Sequence, residues 1–345
     1  MRGWIVFFLL CAVATAPVPA LAAAAPAAQA SAPAGAPSPA AIARDKAQLA
    51  YQRDLVSVLA PRVDAQPLLA AALLARPLLN PPEALSFHTL IGRAAAAADA
   101  GPAVTWARLA DCAPAPGNCP SPAALERLQE QAPDNAAVWL LKLGVDTHAL
   151  DPDAARQDLA KAAAAKVYDD YTGISLQALA GSVGVLPPPA DTLDPAHAAG
   201  AVGMQTVLVF GLGGAQVQPA LQITAKLCEN AGDDAPIKTD CLKLGRLLEW
   251  GSSPLARSLG LHLREVLDAD PAQQAQARRA RLDLIWQVQN FAALSARATN
   301  DKALAQHLLA LARNGGTEMS LLLAALRDDG IRTEAPAGWT PASRK

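Results

Sequence analysis

The chain has 345 residues, of which 52% are hydrophobic, 17% charged and only 4% aromatic, and its formal net charge is −2. That length supports a large core or two lobes, while the near-neutral charge excludes a strongly basic nucleic-acid binder. Ala and Leu dominate, there are three tyrosines, and β-branched runs bounded by turns are lacking, so an all-α chain is expected.

Residues 1–22 carry the three parts of a secretory signal: Arg2, the apolar run from Trp4 to Val13, and an Ala20-Leu21-Ala22 cleavage site. Export to the periplasm and removal of the signal are expected, with secretion as the alternative. The apolar run falls short of the roughly 20 residues that span a bilayer. Cys11 lies inside that run behind Leu10, which disfavours a lipoprotein. Residues 23–41 are Ala, Pro, Ser and Gly with one Gln, a composition with little apolar surface to bury and frequent helix stops, hence a mobile linker.

From there the expected helices are 39–59, 65–79, 82–98, 102–111, 122–131, the pair 135–148 and 152–165, and 169–183. A Pro-rich connector, 186–195, separates an N-terminal helical-repeat lobe, 42–185, from a C-terminal lobe, 196–331. The second lobe holds helices 196–211, 215–230, 235–250, 254–267, 271–296, 302–314 and 317–328. Several starts have a mechanism. In Ser38-Pro39, Ser121-Pro122, Asp151-Pro152, Ser253-Pro254 and Asp270-Pro271, a capping side chain precedes a proline whose missing N–H costs nothing at the first helical position. Short connections between so many helices predict antiparallel hairpins stacked as an α-solenoid or superhelix. The stretch 201–214 is apolar nearly all round and is expected to be buried. The tail, 332–345, is irregular, with Trp339 placed to pin it onto the last helices.

The hairpin 132–166 is the most complete unit. Asp134 or Asn135 is the candidate cap of its first helix, and Ala136, Trp139, Leu140 and Leu143 fall on one face. Asp151-Pro152 restarts the chain, and Ala155, Leu159 and Ala162 give the second helix a narrow face for close approach. These residues resemble a tetratricopeptide repeat. Trp139 matches the family's first-helix aromatic, and Ala155, Leu159 and Ala162 match its small–large–small second helix. Leu143 and Lys142 depart from the pattern, and the likeness covers about one repeat. The wider chain resembles exported helical-repeat proteins of Gram-negative bacteria, and both resemblances imply a helical scaffold without implying an activity.

Four cysteines remain after signal removal: Cys112, Cys119, Cys228 and Cys241. Nearest-neighbour pairing is expected because each pair brackets a turn-rich segment, and each bond would stabilise by roughly 3 kcal/mol in an oxidising compartment. The spacings do not match zinc knuckles. His88, His148, His197, His262 and His307 are scattered. His262 and Glu265 share a helix face, as half of a metal site or, in the favoured reading, as a surface ion pair, and Asp146 and His148 sit near a helix end without a nucleophile. Neither Ser175 nor Ser258 lies in a nucleophile elbow, and Gly211-Leu212-Gly213-Gly214 lacks the spacing and the lysine of a nucleotide loop. Thus no catalytic, cofactor or metal constellation is found.

Tyr168, Asp169, Asp170 and Tyr171 form the densest polar-aromatic cluster. They line a groove for a partner or begin a helix, with a carboxylate near its positive end. Arg278, Arg279 and Arg281 read as a solvated face. The expected function is a non-enzymatic periplasmic scaffold binding a protein or peptide partner of the cell envelope, without cofactor, nucleic acid or transmembrane span. The alternative is a peptidoglycan-acting enzyme on an α-superhelical scaffold, which needs a carboxylate pair drawn from residues such as Glu83, Glu126 and Glu265.

Overall fold

The computed structural model describes residues 38–112 and 119–341. The expected signal, residues 1–22, and the linker up to residue 37 lie outside the described residues. Fifteen α-helices are present among the described residues: α1 (Pro39–Leu59), α2 (Ala65–Ala75), α3 (Phe87–Ala96), α4 (Pro102–Arg108), α5 (Pro122–Gln131), α6 (Ala136–His148), α7 (Pro152–Ala164) and α8 (Thr172–Ser182). They continue with α9 (Gly200–Gly213), α10 (Leu221–Glu229), α11 (Ala235–Leu248), α12 (Pro254–Leu267), α13 (Pro271–Arg297), α14 (Lys302–Asn314) and α15 (Glu318–Asp328). The chain is therefore all-α. Its β-pairing among these residues is one isolated bridge, Asn135 to Val167.

The capping chemistry expected from sequence is present where it matters for register. Asn135 accepts from the Ala137 amide at the start of α6, Asp151 from Ala154 at α7, and Asp270 from Ala272 at α13. Ser121 and Ser253 precede their prolines without making a side-chain cap bond. Several expected helices are shorter, three of them for a local reason. The segment 65–79 ends at Ala75, just ahead of Pro77, and 82–98 divides into a single tight turn, Glu83–Leu85, and α3, which Ser86 caps. The segment 215–230 is helical only from Leu221, because Pro219 lacks the N–H and crowds the preceding carbonyls.

Successive helices pack as neighbours, most extensively α6 with α7, α11 with α12, α12 with α13, and α2 with α3. The row then turns back on itself. α7 packs on α11, α2 on α8, and α14 on both α8 and α9. Of the three apolar clusters, two draw residues from both sides of 186–195. One joins Leu69, Leu73 and Leu90 to Leu179, Val209, Leu309 and Leu321; the other joins Leu128, Leu140 and Leu159 to Leu244 and Leu263. The third gathers α12 to α15 around Leu284, Leu294, Leu308, Met319 and Leu326.

Both expected disulfides are formed, Cys112–Cys119 and Cys228–Cys241. The second ties α10 to α11, with both sulfurs in the core. The tail is held on α13: Trp339 meets Trp286 edge-on at 5.3 Å, Trp286 donates to the Arg332 carbonyl, and Asp283 accepts from the Ala335 amide. Two expectations need correction. Trp139 is not in the hairpin core; it lies half-buried at its edge, with the Lys161 ammonium 4.5 Å over its ring, because α6 buries a wider face that includes its own Ala137, Val138, Leu141 and Gly144. α9 is not a fully buried helix: only Gly203, Thr206, Val209 and Gly213 are enclosed, and Val207 is 54% exposed.

Candidate functional site

Residues 168–172 do not lie on an open surface. Tyr168 and Asp170 are buried, while Asp169 and Tyr171 are half-buried. The Asn135 side chain accepts from the Asp169 amide at 2.9 Å and donates to its carbonyl at 2.7 Å, tying the segment to α6. Tyr171 takes left-handed backbone (φ 54°), caps α8, and places its ring 5.6 Å from Trp106 of α4. Ser252, in the loop between α11 and α12, donates its amide to the Tyr168 carbonyl and shares its hydroxyl with Asp170. It also accepts from the Met319 amide of α15 at 2.9 Å. The four residues are thus brought together as a junction of α6, α8, α15 and the 251–253 loop. Burial pushes the Asp169 carboxyl and both tyrosine hydroxyls above their ordinary ranges. The expected helix start at Asp169 moves to Thr172, since Asp169 and Asp170 turn their side chains back onto the amides of Tyr171 and Thr172.

The open concavity lies elsewhere, between α1 and α9, with a volume of about 410 Å³. Its floor is the exposed strip of α9: Met204, Val207, Leu208, Gly211 and Leu212. Its wall is α1, from Arg44 and Gln48 to Tyr51 and Gln52, and its mouth carries Asp194 and His197. The wall is rigidly placed. Tyr51 donates its hydroxyl toward the Val183 and Leu186 carbonyls at 2.9 and 3.0 Å, Gln48 donates to the Thr192 carbonyl, and Arg44 pairs with Asp194 at 2.9 Å. The Gln52 carbonyl oxygen is buried without a partner. A second cavity, about 510 Å³, opens on another side of α9 toward Lys302, Gln306 and Arg313 of α14. Flanking cavities explain why so apolar a helix remains half-covered.

Comparison with protein-family models, curated proteins and solved structures gives no match.

The remaining sequence candidates resolve into structural pairs. His262 pairs with Glu229 of α10 at 2.6 Å rather than with Glu265. Glu265 instead bridges Arg278 and Arg281, which hold its carboxyl below the usual range against the opposing effect of burial, and Arg279 pairs with Asp283. The arginine row is therefore matched by acids and by the tail. Asp146 is held by Lys142 at 2.5 Å, and beside them burial and the neighbouring Asp146 push Asp158 up to about 6. Glu83 accepts from Thr89, Glu126 is solvent-facing on α5, and neither lines the α1–α9 cavity, nor does Glu265. Among the described residues no three His, Cys, Asp or Glu side chains converge as a metal site, and no helix is long and apolar enough to cross a membrane.

The α1–α9 concavity was missed in sequence. In the structure a Cβ on Gly203 or Gly213 would run into Ala199 or Leu176, whereas one on Gly211 would meet nothing within 4 Å, but the sequence 201–214 does not distinguish these glycines. An all-apolar helix carries no periodicity to say which side is covered.

Proposed function

We propose that the chain is an exported, tetratricopeptide-like helical scaffold that takes a protein or peptide segment of the cell envelope along the groove between α1 and α9. The observation supporting this reading is the uncovered apolar strip of α9 facing a hydrogen-bonded polar wall. Apolar side chains of an extended or helical segment would dock on Val207 and Leu208, while its backbone polar groups would meet Gln48, Gln52 and the Arg44–Asp194 pair. Such mixed grooves, apolar at the base with a few fixed polar groups, are a common form of recognition site. Two disulfides among short connections and the composition of residues 1–22 favour the export part of the reading.

A photo-crosslinking residue at Val207, with the same residue at Val63 as an exposed control, tests the groove in envelope extract. A defined adduct at Val207 only, lost when Gly211→Trp fills the groove, is the expected result. Equal labelling at both positions would refute the reading, and release of wall fragments by the purified chain would favour the enzyme alternative.

A further inference from the structure

At the junction of α8, α15 and the 251–253 loop, three oxygen atoms are buried without a hydrogen-bond partner: Asp170 Oδ2, Tyr168 Oη and Ser253 Oγ. Asp170 is 1% exposed, and its other oxygen accepts from Ser252 Oγ at 3.2 Å and from the Thr172 amide at 3.3 Å. Glu318, the first residue of α15, is brought to the same place by the Met319–Ser252 backbone bond. Burial, and secondarily the charge of Asp170, push the Glu318 carboxyl up to about 8.

None of the three carboxyls, Asp169, Asp170 and Glu318, is ion-paired, although all belong to described residues. The Met319–Ser252 and Ser252–Asp170 bonds bring Glu318 of α15 within electrostatic reach of Asp170 and Tyr168 in the lead-in to α8. The cations of the surrounding elements have other partners, two of them carbonyls of the junction's own segments. Arg257 of α12 donates to the Gly251 carbonyl and Arg313 of α14 to the Ala180 carbonyl. On α13, Arg278 and Arg281 bond Glu265, Arg279 bonds Asp283, and Arg297 bonds Asp329. The loop leading into α15 is built to move: Gly315 and Gly316 have φ of 78° and 104°, in the region where glycine is favoured. That loop also touches α8 directly, since a Cβ on Gly173 would run into the Gly316 carbonyl.

We propose that Glu318, set beside Asp170, is a proton-operated latch that fastens the α14–α15 loop and the start of α15 onto α8 and the 251–253 loop. With its proton in place, Glu318 adds no charge beside Asp170 and brings a donor into a cluster that has an orphaned acceptor. When the proton leaves, Glu318 gains a negative charge near Asp170, and like charges brought together in a partly buried setting repel. The glycine pair then lets the first turn of α15 swing outward, breaking the Met319–Ser252 bond. The latch is independent of the α1–α9 groove.

Hydrogen exchange of the full chain between pH 6 and 9.5, corrected for intrinsic rate, tests this. Protection of residues 315–323 and of the 251–253 loop should fall about tenfold between pH 7 and 9 and level off above, while α6 keeps its protection. In Glu318→Gln the fall should vanish. Unchanged protection in the native chain, an equal fall in Glu318→Gln, or a loss spread over all helices would overturn the proposal. A carboxyl-carbon NMR titration of native Glu318 gives a reading that needs no variant. A midpoint in the ordinary glutamate range would overturn it as well.

Discussion

The same substitution, Gly→Ala, should have opposite signs at two helical positions. Across the α11–α12 crossing, Gly245 and Gly260 bring the two backbones together. A Cβ on Gly260 would stand 2.7 Å from the Gly245 carbonyl oxygen and 2.7 Å from the Leu248 carbonyl carbon. Those are backbone atoms that no rotamer change moves aside, so ordinary contact at about 3.5–4.0 Å requires the helices to part by about 1 Å. Such overpacking costs about 3 kcal/mol, offset by about 1 kcal/mol of improved helix propensity, a net loss of about 2 kcal/mol. At Gly211 nothing lies within 4 Å, so Gly211→Ala keeps only the propensity term and should stabilise by up to about 1 kcal/mol. Urea unfolding followed by helical circular dichroism at fixed pH measures both, and the two variants should straddle the native midpoint. A Gly260→Ala midpoint at or above the native one would refute the close-packing argument.

Other outcomes follow from the same structure. Asp158, raised to about 6 chiefly by burial, contributes stability that is fully present below its unfolded range near 4 and is lost as pH rises through 6. The denaturation midpoint should therefore decline across that window, and Asp158→Asn should flatten the decline. Replacing Cys228 and Cys241 together by Ala, which opens a link of sequence separation 13, should cost about 3 kcal/mol by thermal unfolding. Trp339→Ala removes the edge-on contact with Trp286 and should expose the tail beyond Ile331 to protease while helical circular dichroism stays unchanged. Trp139→Ala loses the Lys161 contact, the hydrogen bond from its ring to the Pro133 carbonyl and part of a half-buried ring, so it should cost about 2 kcal/mol, below a core aromatic truncation.

What could be read from the sequence was local. Asn135, Asp151 and Asp270 declare helix starts because a cap acts on amides two or three residues away, and Cys228 and Cys241 could be paired because their loop is short. Pro77 and Pro219 carry equally local information, and reading helices 65–79 and 215–230 through them ignored it. The junction around Tyr168–Tyr171 was visible as a cluster but not as an interior one. Ser252 and Met319, which enclose it, are 84 and 151 residues away from Tyr168 along the chain. The exposed strip of α9 was invisible for a related reason: whether Val207 is covered depends on where α1 and α14 come to rest, and 201–214 is apolar on every side.

The placement of α8 has a consequence for how the chain is made. It contacts α2, which precedes it by about 100 residues, and α14, which follows it by about 130. An open row of hairpins gains stability one unit at a time and survives the loss of its last unit. Here the cluster holding Leu69, Leu73 and Leu179 stays unsealed until Leu309 and Ala312 arrive. A nascent chain emerging from its amino end would therefore carry a half-finished interior until almost its final helix. A premature stop near Asp301 would leave that interior open, so the missing end would be felt at α2 and α8 rather than only where the chain was cut.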